Sequence, residues 1–249
     1  MSSSTPPPDS DVSASQGQSG SLGDQGETAD AAALPQGGPP PALTGTEQRA
    51  AEQIFGDRLP LATRYVAHLC STGIEHGLLG PREIPRMWSR HVLNCAVLAT
   101  ELPSGATVAD VGSGAGLPGI ALAVARPDVI FQLIEPMERR VQWLDTVTRD
   151  LGLDNVTVIR ARAEEVADEV MADVVTARAV SALKKLLPLT APLMDDGGEL
   201  LLLKGRSAAQ EIDAAAKVLK KYRLRRPQAE LLGEDLLDEP TTVVRIPRR

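Results

Sequence analysis

The apolar positions of the chain fall into two regimes that meet near residue 103. Between residues 46 and 102 they recur at i, i+3 and i+4, the spacing that lines one face of a helix. This spacing predicts helices over 46–55, 60–76 and 84–102. Leu61, Val66, Leu69 and Cys70 share a face of the second, and Met87, Trp88, Val92, Leu93, Val97 and Leu98 recur along the third. Gly73, Gly77, Gly80 and Pro81 break the chain between those two. Beyond residue 103, short β-rich runs at 107–111, 130–135, 156–160, 173–178, 199–204 and 241–246 alternate with helical stretches. Those stretches are 117–125, 137–151, 182–193 and 207–222.

Strand and helix in such alternation predict a mainly parallel sheet covered on both faces. Leu200–Leu203 is continuously apolar, as a strand buried on both sides should be. The expected fold is therefore α/β: a helical cap over 46–103, then a doubly wound, Rossmann-like domain over 104–249.

Residues 1–45 read differently. They hold no aromatic residue, no Lys or Arg and seven prolines, among many Ser, Gly, Gln and Ala. Such a segment cannot bury enough apolar area to offset the entropy of ordering, so a disordered low-complexity tail is expected. It lacks the basic start and apolar run of a secretory signal.

The tail also changes how the formal charge of −7 is read. Asp9, Asp11, Asp24, Glu27 and Asp30 all lie within it, and the rest of the chain is close to neutral. Bases cluster in that remainder, at Arg82, Arg86 and Arg90 and again from Lys217 to Arg226. Local patches set the field a partner meets, so a nucleic-acid partner is compatible with the acidic total. The plainer alternative is a solvated helix face. Cys70 and Cys95, both in apolar helical patterns, suit a reduced, cytoplasmic setting. No apolar run approaches the length of a membrane span, and no membrane or metal partner is expected.

The sharpest chemical signal is the loop Asp110-Val-Gly112-Ser-Gly114-Ala-Gly116-Leu117-Pro-Gly119, between the first strand and the first helix of the sheet. Open α/β sheets bind ligands there, and glycines let a ligand approach the main-chain N–H groups. Two ligand classes fit. Gly114-x-Gly116-x-x-Gly119 matches a dinucleotide fingerprint, and Asp110-x-Gly112-x-Gly114-x-Gly116 matches an S-adenosylmethionine loop. A carboxylate at the strand tip would repel a pyrophosphate but suits the ammonium and sulfonium of adenosylmethionine.

Glu135 closes the second strand, where a carboxylate can accept from both ribose hydroxyls of either ligand. Ala163 and Glu164 follow the third strand, in a position for an adenine edge, although Glu164 would equally cap the short helix starting there. Arg178, at the carboxyl end of the fourth strand, faces the ligand crevice or else pairs with an acid on a helix. No Tyr-x-x-x-Lys or His-Asp arrangement follows that strand to serve a nicotinamide-dependent oxidoreductase. Neither an Asn/Asp-Pro-Pro-aromatic motif nor a nucleophilic cysteine stands there for amino or C5 methylation of bases.

Together these segments resemble the RsmG (GidB) family of bacterial methyltransferases that modify guanine N7 in 16S ribosomal RNA. The resemblance spans about residues 58–249. It rests on Arg90-His91, the loop from Asp110 to Ile120, Arg160-Ala-Arg162-Ala-Glu164-Glu165, Arg178-Ala-Val-Ser-Ala-Leu183 and Leu203-Lys204-Gly205. The family's Trp-x-x-x-Asn-Leu-Thr segment before Arg-His is replaced here by Ile74-Glu-His-Gly-Leu-Leu79 and a basic stretch.

The resemblance implies a Rossmann-like S-adenosylmethionine methyltransferase sheet, with S-adenosyl-L-methionine as cofactor and 16S rRNA or a small-subunit precursor as partner. Cofactor contacts are implied at Gly112, Leu117, Ala163, Glu164 and Arg178, with Glu135 in the ribose site and Gly114 and Gly116 completing the loop. Guanine N7 carries an in-plane lone pair and no proton, so transfer requires approach and a water-poor site and no general base. Arg178, Lys204 and Arg90 are then expected to position phosphate and base.

Overall fold

The computed structural model describes residues 38–249. The expected tail lies outside the described residues as far as 37. Ordered packing begins before residue 46, because the Trp88 indole donates to the Pro41 carbonyl at 3.1 Å. Thr44 caps the first helix, α1 (Gly45–Phe55), and exchanges hydrogen bonds with Glu47 in a capping box. Helix α2 (Leu59–His68) follows and widens into a π turn over Leu69–Gly73.

The third expected helix is less regular than its spacing suggests. A 3₁₀ stretch over Pro81–Arg86 leads into a second π turn, Met87–Leu93, then α3 (Asn94–Ala96) and a 3₁₀ stretch, Val97–Glu101. The widened turn contains Arg90 and His91. Its irregularity has a chemical counterpart, since the carbonyls of both residues accept from the Arg178 side chain.

The sheet comprises β1 (Thr107–Val111), β2 (Ile130–Ile134), β3 (Val156–Ile159), β4 (Ala172–Arg178), β5 (Met194–Lys204), β6 (Gln228–Leu232) and β7 (Thr241–Pro247). Their order is β3-β2-β1-β4-β5-β7-β6. The first five strands run parallel, and β7 lies antiparallel between β5 and β6. Alternating side chains feed two cores. Val108, Phe131, Leu133, Val174, Leu201 and Val243 face α1, α2, the π turns, α4 (Gly119–Ala125) and α5 (Glu138–Asp150). Ala109, Val175, Leu200, Leu202 and Val244 face α6 (Leu183–Thr190), α7 (Ala208–Ala214) and α8 (Ala216–Lys221). Cap and sheet thus share a single core on one side. Strand order reverses between β1 and β4, which opens a crevice at their carboxyl ends.

Candidate active site

The glycine loop leaves β1 through three residues at positive φ, Gly112 (72°), Gly114 (56°) and Gly116 (76°). They serve different ends. A Cβ on Gly116 would lie 2.5 Å from Ile120 Cδ1, so this glycine lets the loop close onto α4. A Cβ on Gly114 would meet only the Gly112 carbonyl, at 3.7 Å, and so would point into open space. Gly114 also borders a cavity of about 240 Å³, lined by Gly112, Ser113, Ala115 and Leu117 from the loop and by Leu78, Leu79, His91, Arg140, Arg178 and Ala179. From the cap, the buried Tyr65 hydroxyl donates to the Ala115 carbonyl at 2.7 Å and braces the loop from behind. Nothing in the local sequence marks Tyr65 for this; its place on an apolar helix face reads as core.

Asp110 does not face this cavity. It is fully buried beneath the loop, where Oδ2 accepts from Gly119 N–H at 3.1 Å and Oδ1 has no partner among the described residues. Burial above all pushes its carboxyl up to about 7. Contrary to the expectation from sequence, Asp110 therefore does not select a cationic ligand by its charge. It is a structural anchor, substantially protonated at neutral pH.

Because the folded pKa of Asp110 lies above the unfolded one, its stabilisation is complete below the usual carboxylate range. It is lost as pH rises to about 7, by about 4 kcal/mol in the limit. Asp110→Asn keeps an acceptor for Gly119 without titrating. Denaturant unfolding at about pH 4 and pH 8 should find the variant gaining on the parent by up to that amount; a pH-independent difference would refute the assignment.

Glu135 is buried and turned toward the main chain, with one oxygen accepting from Gly114 N–H and the other from Met137 N–H, each at 3.0 Å. Arg140 lies 3.5 Å away. The carboxylate therefore fixes the loop that the cavity needs, one bond from its lining. Ala163 is buried in the 3₁₀ turn Ala163–Glu165, and Glu164 is exposed; neither lines the cavity. The capping role considered for Glu164 belongs to Glu165, whose carboxylate accepts from Arg162 N–H at 2.8 Å.

Arg178 is the hub of the site. Its guanidinium donates to the carbonyls of Arg90 (3.0 Å) and His91 (3.4 Å), to Cys95 Sγ (3.0 Å) and to His91 Nδ1 (3.1 Å). No helix-borne acid pairs with it among the described residues; it clasps the π turn of the cap. With Nδ1 accepting, the His91 proton resides on Nε2, 2.8 Å from Glu83 Oε2. Burial, opposed by the bond to Glu83, lowers the His91 pKa and favours this neutral form. Neighbouring Ala179 adopts φ 55°, a strained conformation for a residue with a Cβ.

Beyond Arg178 and Ala179 opens a larger cavity of about 630 Å³, bordered by Arg90, Asn94, Lys204, Arg206 and Glu239 among others. The two residues belong to both linings, so they form the wall between the cavities. Lys204 contributes less than expected. Its ammonium is mostly buried, 2.6 Å from the Ser181 carbonyl and 2.9 Å from Glu211 Oε2, and so ties the post-β4 loop to α7. Arg90 and Arg206 are exposed and face the cavity. Among the described residues no helix is long and apolar enough to cross a membrane, and no three His, Cys, Asp or Glu residues are grouped to hold a metal ion.

Comparison with known proteins agrees with this architecture. The fold resembles that of a SAM-dependent methyltransferase from Aquifex aeolicus (TM-score 0.50, 18% identity, 72% of this chain and 98% of that one). It is equally similar to M. jannaschii TYW2 in complex with AdoMet (TM-score 0.50, 20% identity, 66% and 78%). In sequence, a protein of Pseudarthrobacter chlorophenolicus named ribosomal RNA small subunit methyltransferase G is 62% identical over 204 residues, covering 82% of this chain and 94% of that one. A namesake from Thermobifida fusca is 48% identical, with 79% and 83% covered. The GidB family, described as rRNA small subunit methyltransferase G, matches residues 58–235. The chain belongs to this family.

Proposed function

We propose that this protein transfers a methyl group from S-adenosylmethionine to N7 of a guanine in 16S rRNA, within the small ribosomal subunit or a precursor of it. The observation that carries the reading is the pair of cavities sharing Arg178 and Ala179 as their wall. One suits a small ligand on the glycine loop, and the other is wide, open and edged by exposed arginines.

The residues fit the donor. Gly112 and Gly114 present main chain without a side chain and Leu117 lines the same cavity, Glu135 stands behind Gly114 for the ribose, and Ala163 and Glu164, in the turn that follows β3, would take the adenine edge. When bound, the cofactor supplies an electrophilic methyl on its sulfonium. Gly116 and Tyr65 hold the loop in shape, and Arg178 keeps the cap against the crevice and limits water at the wall. Arg90 and Arg206 offer charge-assisted hydrogen bonds to phosphate.

The choice of N7 rests on the imidazole of His91 in the donor cavity. Both nitrogens of His91 are engaged, by Arg178 and by Glu83, which leaves no free imidazole among the described residues of that cavity to take a proton from a nucleophile. A ring nitrogen with its own lone pair needs none. Cys70 and Cys95, unbridged and buried, accord with a cytoplasmic enzyme.

The test is to incubate the protein with labelled S-adenosylmethionine and unmethylated small-subunit RNA, then identify the modified nucleoside by digestion and mass spectrometry. 7-Methylguanosine is expected. A ribose-methylated or amino-methylated nucleoside would overturn the reading even with the donor confirmed.

A further inference from the structure

The basic run at 217–226 lies toward the other end of the sheet from both cavities. Leu224 is buried and bridges to Arg248. Arg225 N–H donates to the Pro247 carbonyl at 3.0 Å, and Arg249 N–H to the Arg223 carbonyl at 3.2 Å. These bonds carry the segment after β7 alongside the end of α8 and merge two stretches of base into one patch. Thr242 pairs with Lys204 at the cavity edge, and the strand then runs away from that edge to Arg248. At about 3.3 Å per residue the patch begins about 20 Å from the substrate cavity.

Lys220, Lys221, Arg223, Arg225, Arg226 and Arg249 are all exposed. Among the described residues none is in an ion pair, whereas Arg64, Arg126, Arg160 and Arg245 elsewhere each hold a carboxylate. Two guanidiniums are oriented by main-chain carbonyls: Arg225 Nε donates to Arg248 O and Arg249 Nε to Leu224 O, both at 3.1 Å. Of the segment's apolar residues, Leu219, Leu224 and Pro227 are buried and Val218 and Tyr222 are half-buried against the core, so the patch presents charge without an exposed hydrophobic anchor. A lipid surface or an amphipathic peptide would want such an anchor; a phosphodiester backbone is held by cations alone.

We propose that this patch is a second RNA-binding surface, which grips the phosphate backbone of the substrate RNA about 20 Å from the methylated nucleotide. It rests on the rRNA reading above and adds to it a remote site of affinity that leaves the chemical step untouched.

The full chain and a variant carrying Lys220→Glu, Lys221→Glu and Arg226→Glu would be titrated with unmethylated 16S RNA across a range of salt concentrations. With about 0.7–0.9 counterions released per phosphate contact, the variant's log–log salt slope should flatten by about 2–3, with RNA affinity down tenfold or more at low salt. S-Adenosylmethionine affinity, melting temperature and the single-turnover rate at saturating RNA should be unchanged. If the parent binds no RNA, the functional reading fails and this inference with it. If the parent binds with a steep slope that the variant shares, only this inference falls. Equal competition by polyglutamate, or retention on phosphatidylglycerol vesicles in preference to RNA, would overturn the assignment to a phosphodiester partner.

Discussion

Valine in place of Gly114 is expected to lower S-adenosylmethionine affinity at least about 100-fold, which is about 2.7 kcal/mol or more. Two effects combine. The residue sits at φ 56°, where a β-branched side chain is strained by about 1–3 kcal/mol. The added carbons would also crowd the cavity that Gly114 borders, since among the described residues nothing but the Gly112 carbonyl, at 3.7 Å, lies within 4 Å of where its Cβ would stand. A second glycine separates the two effects. Gly105 has φ 71° and nothing within 4 Å of where a Cβ would stand, but it precedes β1 at the opposite end of that strand from the loop. Gly105→Val should therefore lose stability comparably while binding the cofactor normally. Calorimetry on both folded variants decides it: normal affinity in Gly114→Val would remove the glycine loop from the donor site.

Much of this arrangement is legible in the chain, and the reasons for the rest are physical. The parallel core is read from β-branched and leucine runs because strands buried on both faces allow few polar positions, as Leu200–Leu203 illustrates. Strand β6 escapes the same reading. Gln228–Leu232 is an edge strand that pairs only with β7 and remains largely exposed, so its pattern carries little contrast. The loop is recognisable because Gly112, Gly114 and Gly116 need a backbone that other residues resist.

Side-chain roles are harder, since they depend on partners remote in sequence. Arg178 finds its acceptors more than 80 residues upstream, and Lys204 is neutralised by a glutamate a full turn into α7. Asp110 and Glu135 look alike as strand-tip carboxylates. The structure separates them by which N–H each accepts, Gly119 for one and Gly114 with Met137 for the other, and by the Arg140 guanidinium 3.5 Å from Glu135.

Replacing Arg178 by lysine should slow single-turnover methyl transfer about 100-fold, with a much smaller change in S-adenosylmethionine affinity. Charge is retained, but one ammonium cannot span the carbonyls of Arg90 and His91, His91 Nδ1 and Cys95 Sγ together. The π turn would then lose its fastening to β4, and the wall between the two cavities would loosen. The pH profile provides an independent reading of the same contact. The charged groups facing His91 are Glu83, Arg90 and Arg178, with Arg86 behind Glu83. Burial lowers the His91 pKa, so the neutral ring prevails from neutral pH upward and its Nδ1 accepts from Arg178. In the parent enzyme the rate should be flat from about pH 7 to 9, because guanine N7 has no proton to lose. It should fall in acid, below the ordinary imidazole range, where protonation turns Nδ1 into a donor aimed at a cation. Arg178→Lys has already lost that contact and should lose most of the acid limb with it. A rate that climbs steadily through pH 7–9 would point to a titrating general base and against N7, and an unaltered acid limb in the lysine variant would detach His91 from the wall.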